Sequence, residues 1–210
     1  MIERTVLPII AEVVEQFNKI VFISGPRQSG KTTLAKMYQK HFDQSLYVNW
    51  DILPHQKKIL TEPYFFEKQN RDPHKPFLLI FDEIHKYQRW KNYLKGAYDA
   101  YQDEFRFFVT GSGRLDLFKK GGDSLFGRYF SVPLFPLSLG ELRGKLTTLA
   151  EFRKSLEDPP ASSKESSSNY DRLFHFSGFP EPYVRGTKEF YYRWFSERKT
   201  LLVRQEIRDA

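Results

Sequence analysis

The sequence predicts an α/β protein. Helices cover both faces of a five-stranded parallel sheet in three layers, and a smaller, mostly helical region follows. Three observations carry this prediction. Short apolar runs alternate with stretches of helical period along most of the chain, and such alternation builds a parallel sheet with right-handed crossovers. A glycine-containing loop joins the first apolar run to the first strongly periodic stretch. An acidic pair, Asp82 and Glu83, closes a later apolar run.

The elements follow in chain order. "MIERTVLPIIAEVVEQF" reads as a helix with Ile9, Ile10, Val13, Val14 and Phe17 on one face. "KIVFISG" is a β-branched apolar run suited to a buried strand. "KTTLAKMYQKHF" then places Leu34, Ala35, Tyr38 and Phe42 at helical spacing. "SLYVNWD" is a second strand, and the stretch from Ile52 to Pro76 reads as helical, closed by prolines. "FLLIF" is a third, buried strand. It precedes a helix with Trp90, Leu94, Ala97, Tyr98 and Tyr101 on one face. "FRFFVTGSG" is a fourth strand and "YFSVPL" a fifth, with a short helix and a glycine-containing loop predicted between them. Ser138 and Glu141 have the spacing of a capping box.

The Ser- and Pro-rich stretch Ser155–Asn169 holds too few apolar residues to pack and is predicted as a loop or hinge. Beyond it the chain is strongly helical and aromatic to its last residue, which predicts a continuation into a longer protein. The expected organisation is residues 1–150 as the α/β domain, 151–169 as the hinge, and 170–210 as the start of a helical module.

Composition narrows the classes. The 210 residues contain no cysteine, which excludes a disulfide framework and fits a reducing cytoplasm. No apolar run reaches the roughly 18 residues that span a bilayer, so no membrane partner is expected. The net charge of +7 points weakly to nucleic acid as a partner, because the 33 Lys and Arg are spread along the chain rather than gathered in a tail.

"ISGPRQSGKTTLAKMY" carries the strongest chemical signal. Gly25, Gly30, Lys31 and Thr32 fit G-x-x-x-x-G-K-[ST], the phosphate-binding loop, with a strand before it and a helix after it. Glycines let consecutive backbone N–H groups point inward at phosphate oxygens, and the helix adds the positive end of its dipole. Gly25, Pro26, Arg27, Gln28, Ser29, Gly30, Lys31, Thr32 and Thr33 are therefore the candidate nucleotide-binding residues. The Lys31 side chain is expected to face solvent when no phosphate is bound. Thr32 and Asp82 are the candidate Mg²⁺ ligands, and Glu83 the group that polarises attacking water.

Two further candidates are less specific. Thr110 and Ser112 end the fourth strand, and either is a candidate for touching the γ-phosphate or the attacking water; the alternative is an ordinary strand-end turn. Arg128 precedes the fifth strand. It is a candidate arginine finger reaching a neighbouring copy's γ-phosphate, with a homo-oligomer as the implied partner, or else a surface ion-pair residue. His85 in "DEIH" reads as a surface residue on a helix's first turn. The sequence lacks the D-x-x-G of a GTPase, and a small-metabolite kinase stays open.

The segments "GPRQSGKTTL", "YVNWD", "FLLIFDEIHKYQRW", "FFVTGSGRLDLF", "GRYFSVPLFPLSLGEL" and "SGFPEPY" together resemble the prokaryotic AAA+-type P-loop ATPases. In that family an N-terminal AAA domain is paired with a C-terminal domain of unknown function. The resemblance spans about Arg4 to Asp209. It implies an AAA+-like P-loop core with strand order 5-1-4-3-2, a small helical region after it, and ATP hydrolysis with Mg²⁺. It does not imply a substrate. The chain departs from the family in stopping early and in its Ser-rich segment from Ser162 to Ser168. Three functions are carried forward: an ATP-driven switch or motor, an ATP-gated nucleic-acid-binding regulator, and a nucleotide-dependent scaffold with little turnover.

Overall fold

The computed structural model describes residues 2–112, 125–142, 150, 154 and 164–208. By contacts the chain divides into two compact units, Arg4–Phe135 and, with Met1–Glu3, Pro136–Ala210. This division falls ahead of the expected edge at residue 150.

The first unit opens with helix α1 (Val6–Phe17), then β1 (Ile20–Gly25), α2 (Lys31–Gln39), β2 (Ser45–Asn49) and α3 (Leu53–Thr61). After a 3₁₀ turn at Phe65–Lys68 come β3 (Phe77–Asp82), a second 3₁₀ turn at Ile84–Lys86, α4 (Trp90–Tyr101), β4 (Phe105–Ser112) and β5 (Tyr129–Pro133). The expected helical stretch from Ile52 is thus broken. Helix α3 ends ahead of Pro63, which has no N–H to continue it.

All four strand pairings are parallel, in the order β2-β3-β4-β1-β5, which is 5-1-4-3-2 read from the other edge. Alternation along the strands feeds two cores, because successive side chains leave opposite faces. Ile20 and Phe22 of β1, Phe77, Leu79 and Phe81 of β3, and Phe105, Phe107 and Val109 of β4 enter one cluster with Trp90, Leu94 and Ala97 of α4. Val21 and Ile23, Leu78 and Ile80, and Phe108 enter the other, against α1 and α2. Burial on both faces is why these strands read as continuous apolar runs.

Helix α1 buries Leu7, Ile10 and Val14, while Phe17 is 52% exposed and packs against Phe130 instead. The expected stripe is corrected by one turn. The helix closes at Asn18 in the left-handed conformation (φ 44°), so Phe17 belongs to the exit rather than to the buried face.

The second unit holds α5 (Leu139–Leu142), α6 (Lys164–Phe176), α7 (Pro180–Arg185) and α8 (Lys188–Arg208). The capping box forms reciprocally: Glu141 N donates to Ser138 Oγ and Ser138 N to Glu141 Oε2, both at 3.2 Å. In "SGFPEPY" a side chain at Gly178 would run into the Leu137 carbonyl, and Leu137 N donates to Gly178 O at 2.6 Å. Residues 164–169, expected in the hinge, open α6 instead. Asn169 donates to Leu142 O at 3.2 Å and accepts from Tyr183 Oη at 3.0 Å, tertiary bonds that favour helix over the local serine preference. The hinge residues 155–163, and the helix and loop predicted between β4 and β5 up to residue 124, lie outside the described residues.

Candidate functional site

In a parallel sheet, ligand-binding groups collect at the carboxyl ends of the strands. The register brings Gly25 beside Ser112 and sets Asp82 between Asn49 and Thr110 at one edge of this sheet. Polar residues of four segments therefore meet there: the loop after β1 and the ends of β2, β3 and β4.

The loop from Gly25 to Gly30 is tightly wound. A Cβ at Gly25 would collide with the Leu134 carbonyl, so only glycine fits against the chain leaving β5. Gln28 (φ 66°) and Gly30 (φ 96°) take left-handed conformations, and Ser29 N closes a turn onto Pro26 O at 3.3 Å. Arg27, Gln28 and Thr33 are exposed, whereas Ser29 is fully buried with its Oγ lacking a partner among the described residues.

Lys31 departs from expectation. Its side chain does not face solvent: the residue is 6% exposed, and Nζ donates to Gly25 O at 3.0 Å and Pro26 O at 2.8 Å. The loop's own carbonyls satisfy the ammonium, as burial of a charge requires.

Asp82, the last residue of β3, is 1% exposed. Its Oδ2 accepts from Thr32 Oγ1 at 2.8 Å and Tyr47 Oη at 2.5 Å, and its Oδ1 accepts from Thr110 Oγ1. Asn49 Nδ2 donates to Tyr47 Oη at 3.2 Å. Burial and the Asp82 carboxylate push the Tyr47 phenol well above its ordinary pKa, so it remains a donor. Sequence reasoning missed Tyr47 and Asn49. Their signal was the run of polar-tipped residues at alternate positions of β2, Ser45, Tyr47 and Asn49, with apolar Leu46 and Val48 between them.

Glu83 follows with φ 56° and ψ 22°, an unfavourable conformation for a residue with a side chain, held by its N–H donating to Thr110 O at 3.1 Å. Its carboxylate lies 3.4 Å from Lys86 Nζ and 3.7 Å from His85 Nε2. Lys86 Nζ also holds both Asp51 oxygens at 2.6 Å. His85 is corrected from the surface reading: it sits on the 3₁₀ turn with its side chain 15% exposed, and burial lowers its pKa.

The remaining candidates separate. Ser112 ends β4 beside Gly25 at the site edge, and its side chain lies outside the described residues. Arg128 stands elsewhere. Since β5 runs parallel to β1, the residue before Tyr129 lies at the end opposite the loop, where Arg128 O accepts from Ile20 N at 2.9 Å. Its guanidinium grips Asp99 of α4, Nε to Oδ1 at 2.6 Å and NH2 to Oδ2 at 3.1 Å. The structure does not bring it to the loop of its own chain.

A loop of this form between a central parallel strand and a helix, with a threonine hydroxyl bonded to a strand-end aspartate, defines the P-loop ATPase fold class. The sequence matches the AAA domain family over residues 17–143, more than half of the chain, and the chain belongs to that family. No curated protein matches it. Among solved structures, it is similar to the Walker-type ATPase paby2304 of Pyrococcus abyssi, at 15% identity and a TM-score of 0.57. That match covers 100% of this chain and 75% of the other. It is also similar to the ORC1 protein of Aeropyrum pernix solved with DNA, at 12% identity and a TM-score of 0.47, covering 80% of this chain and 57% of that one. A katanin structure matches at 17% identity and a TM-score of 0.48, covering 85% and 65%. At 15% identity the likeness to the Pyrococcus abyssi ATPase shows the fold alone. Among the described residues, no helix is long and apolar enough to cross a membrane.

Proposed function

We propose that this chain binds ATP and hydrolyses it with Mg²⁺ in the cytoplasm, using the cycle as a conformational switch or motor. The observation that carries the reading is the hydrogen bond from Thr32 to Asp82, immediately beside the loop that ends in Lys31. The loop amides of Arg27–Thr33 and the Lys31 ammonium bind phosphate oxygens. Thr32 Oγ1 and the Asp82 carboxylate are hard oxygen donors 2.8 Å apart, a set that fits Mg²⁺. When bound there, the ion neutralises charge on the β- and γ-phosphates. Tyr47 and Thr110 orient the Asp82 carboxylate by donating to it. Glu83, one residue on, orients and polarises the attacking water. Ser112, at the adjacent strand end, contacts the γ-phosphate.

A scaffold with little turnover is the second reading, favoured by Glu83 lying within reach of Lys86 and His85. Lys86 Nζ, 3.4 Å away, competes with an attacking water for the Glu83 carboxylate oxygens. The net charge of +7 keeps nucleic acid as a partner to test. Purified protein with ATP and Mg²⁺, with and without DNA, separates these readings by bound nucleotide and released phosphate. Binding with phosphate release supports the ATPase, binding without release the scaffold, and DNA-dependent release the regulator. Failure to bind ATP overturns all three.

A further inference from the structure

We propose that Arg4 is a positioning residue for the nucleotide site, bracing the phosphate-binding loop from behind. The inference rests on the ATP-binding reading above. Arg4 lies just before α1, far from the loop in sequence, and is only 5% exposed. Its NH1 donates to Ser29 O at 2.8 Å and its NH2 to Phe135 O at 2.6 Å.

The consequence follows from peptide geometry. A trans peptide is planar, with its C=O and the following N–H pointing in opposite directions, and no peptide among the described residues is cis. Holding the Ser29 oxygen on the outside of the loop therefore fixes the Gly30 N–H toward the inside, where a phosphate oxygen needs a donor. Gly30, at φ 96°, has the backbone freedom to rotate that amide away if nothing restrains it. The guanidinium is permanently charged, so it also polarises the peptide and strengthens the Gly30 donor.

The second arm anchors the brace. Phe135 follows Leu134, whose N–H donates to Ser24 O at 2.7 Å and whose carbonyl is the atom packed against Gly25. One planar fork thus joins the loop at Ser29 to the chain leaving β5, which already flanks the loop at its other end. Lysine has a single ammonium on a flexible stem and cannot reproduce this fork.

A purely architectural role, pinning α1 to the domain, would share the burial but not the effect on nucleotide. The test titrates ATP and ADP into wild type, Arg4→Met, Arg4→Lys and Lys31→Ala, and measures KM and kcat for ATP. Expected are a roughly tenfold weaker affinity for both nucleotides in Arg4→Met, from losing a charge-assisted hydrogen bond, and an intermediate loss in Arg4→Lys. KM should rise while kcat at saturating ATP stays within about twofold, because the amide is misplaced before any chemistry begins. An architectural role lowers the melting temperature and the active fraction, so kcat falls with KM unchanged; that result overturns the proposal. If Arg4→Met does not fold, wild-type affinity in Arg4→Lys overturns it equally. Nucleotide binding in wild type that survives Lys31→Ala, or is absent from wild type, shows instead that the underlying site reading is wrong.

Discussion

Lys31 Nζ lies 2.8 Å from the carbonyl oxygen of Pro26, five residues earlier in the same loop. A phosphate oxygen must compete with that carbonyl and with Gly25 O for the ammonium. Replacing Lys31 by alanine therefore does two things. It removes the charge that meets phosphate, which is expected to weaken ATP affinity by about two orders of magnitude, since hydrogen bonds to charged groups are worth roughly 1.5–3 kcal/mol. It also strands two carbonyls in a partly buried loop, at roughly 1–3 kcal/mol for an unsatisfied group. The melting temperature of the nucleotide-free protein should fall with the affinity. Calorimetry and thermal denaturation of the same preparations check both effects, and an unchanged affinity removes Lys31 from the site.

Glu83 separates binding from chemistry. Glu83→Gln keeps the shape of the side chain and removes the charge that polarises water. ATP should bind as in wild type while phosphate release slows by about two orders of magnitude or more. Equal turnover would leave Glu83 as a residue that only closes the β3 turn toward Lys86.

The central strands β1, β3 and β4 were legible because they are buried on both faces, which writes each of them as an apolar run. The edge strands β2 and β5 are only partly buried and read as shorter, mixed runs. The candidate site was legible where backbone geometry demands particular residues: Gly25 against Leu134, Gly30 at positive φ, Asp82 at a strand tip. What stayed hidden depends on contacts between distant segments. Arg4 meets Ser29 across 25 residues, and Tyr47 meets Asp82 across 35, with no local spacing to announce either. Which end of the sheet Arg128 occupies was hidden for a related reason. A strand's flank looks the same in sequence whichever end of the sheet it occupies, and only the parallel pairing with β1 puts it opposite the loop. Residues 164–169 show composition yielding to tertiary bonds, since the serines sit in a helix fixed through Asn169.

Arg128 now carries a prediction opposite to the finger reading. Its partner is Asp99, whose carboxyl the guanidinium holds below the usual range, and both lie at the exposed far end of the sheet. Arg128→Ala should leave ATP turnover within about twofold of wild type at any protein concentration, and exposed ion pairs contribute little to stability. A finger supplied to a neighbouring copy is worth roughly three to five orders of magnitude in rate. A loss approaching that size, rescued by mixing with Glu83→Gln, would restore the role in a homo-oligomer.

His85 gives the protein a pH dependence whose sign is fixed by burial. Desolvation lowers its folded-state pKa from the ordinary 6.5, outweighing the Glu83 carboxylate that pulls it up. As pH falls through about 6.5, the unfolded chain takes up a proton at this position before the folded chain does, and stability drops. The loss continues until the pH reaches the lowered folded pKa, below which this group contributes no further slope. His85→Gln removes the titration while keeping a polar side chain of similar size. Melting temperatures at about pH 7.5 and about pH 5.5, a span that brackets an ordinary histidine, should therefore differ less in the variant than in wild type. An equal difference in the two proteins would mean that His85 titrates alike folded and unfolded, which is incompatible with its burial beside Glu83.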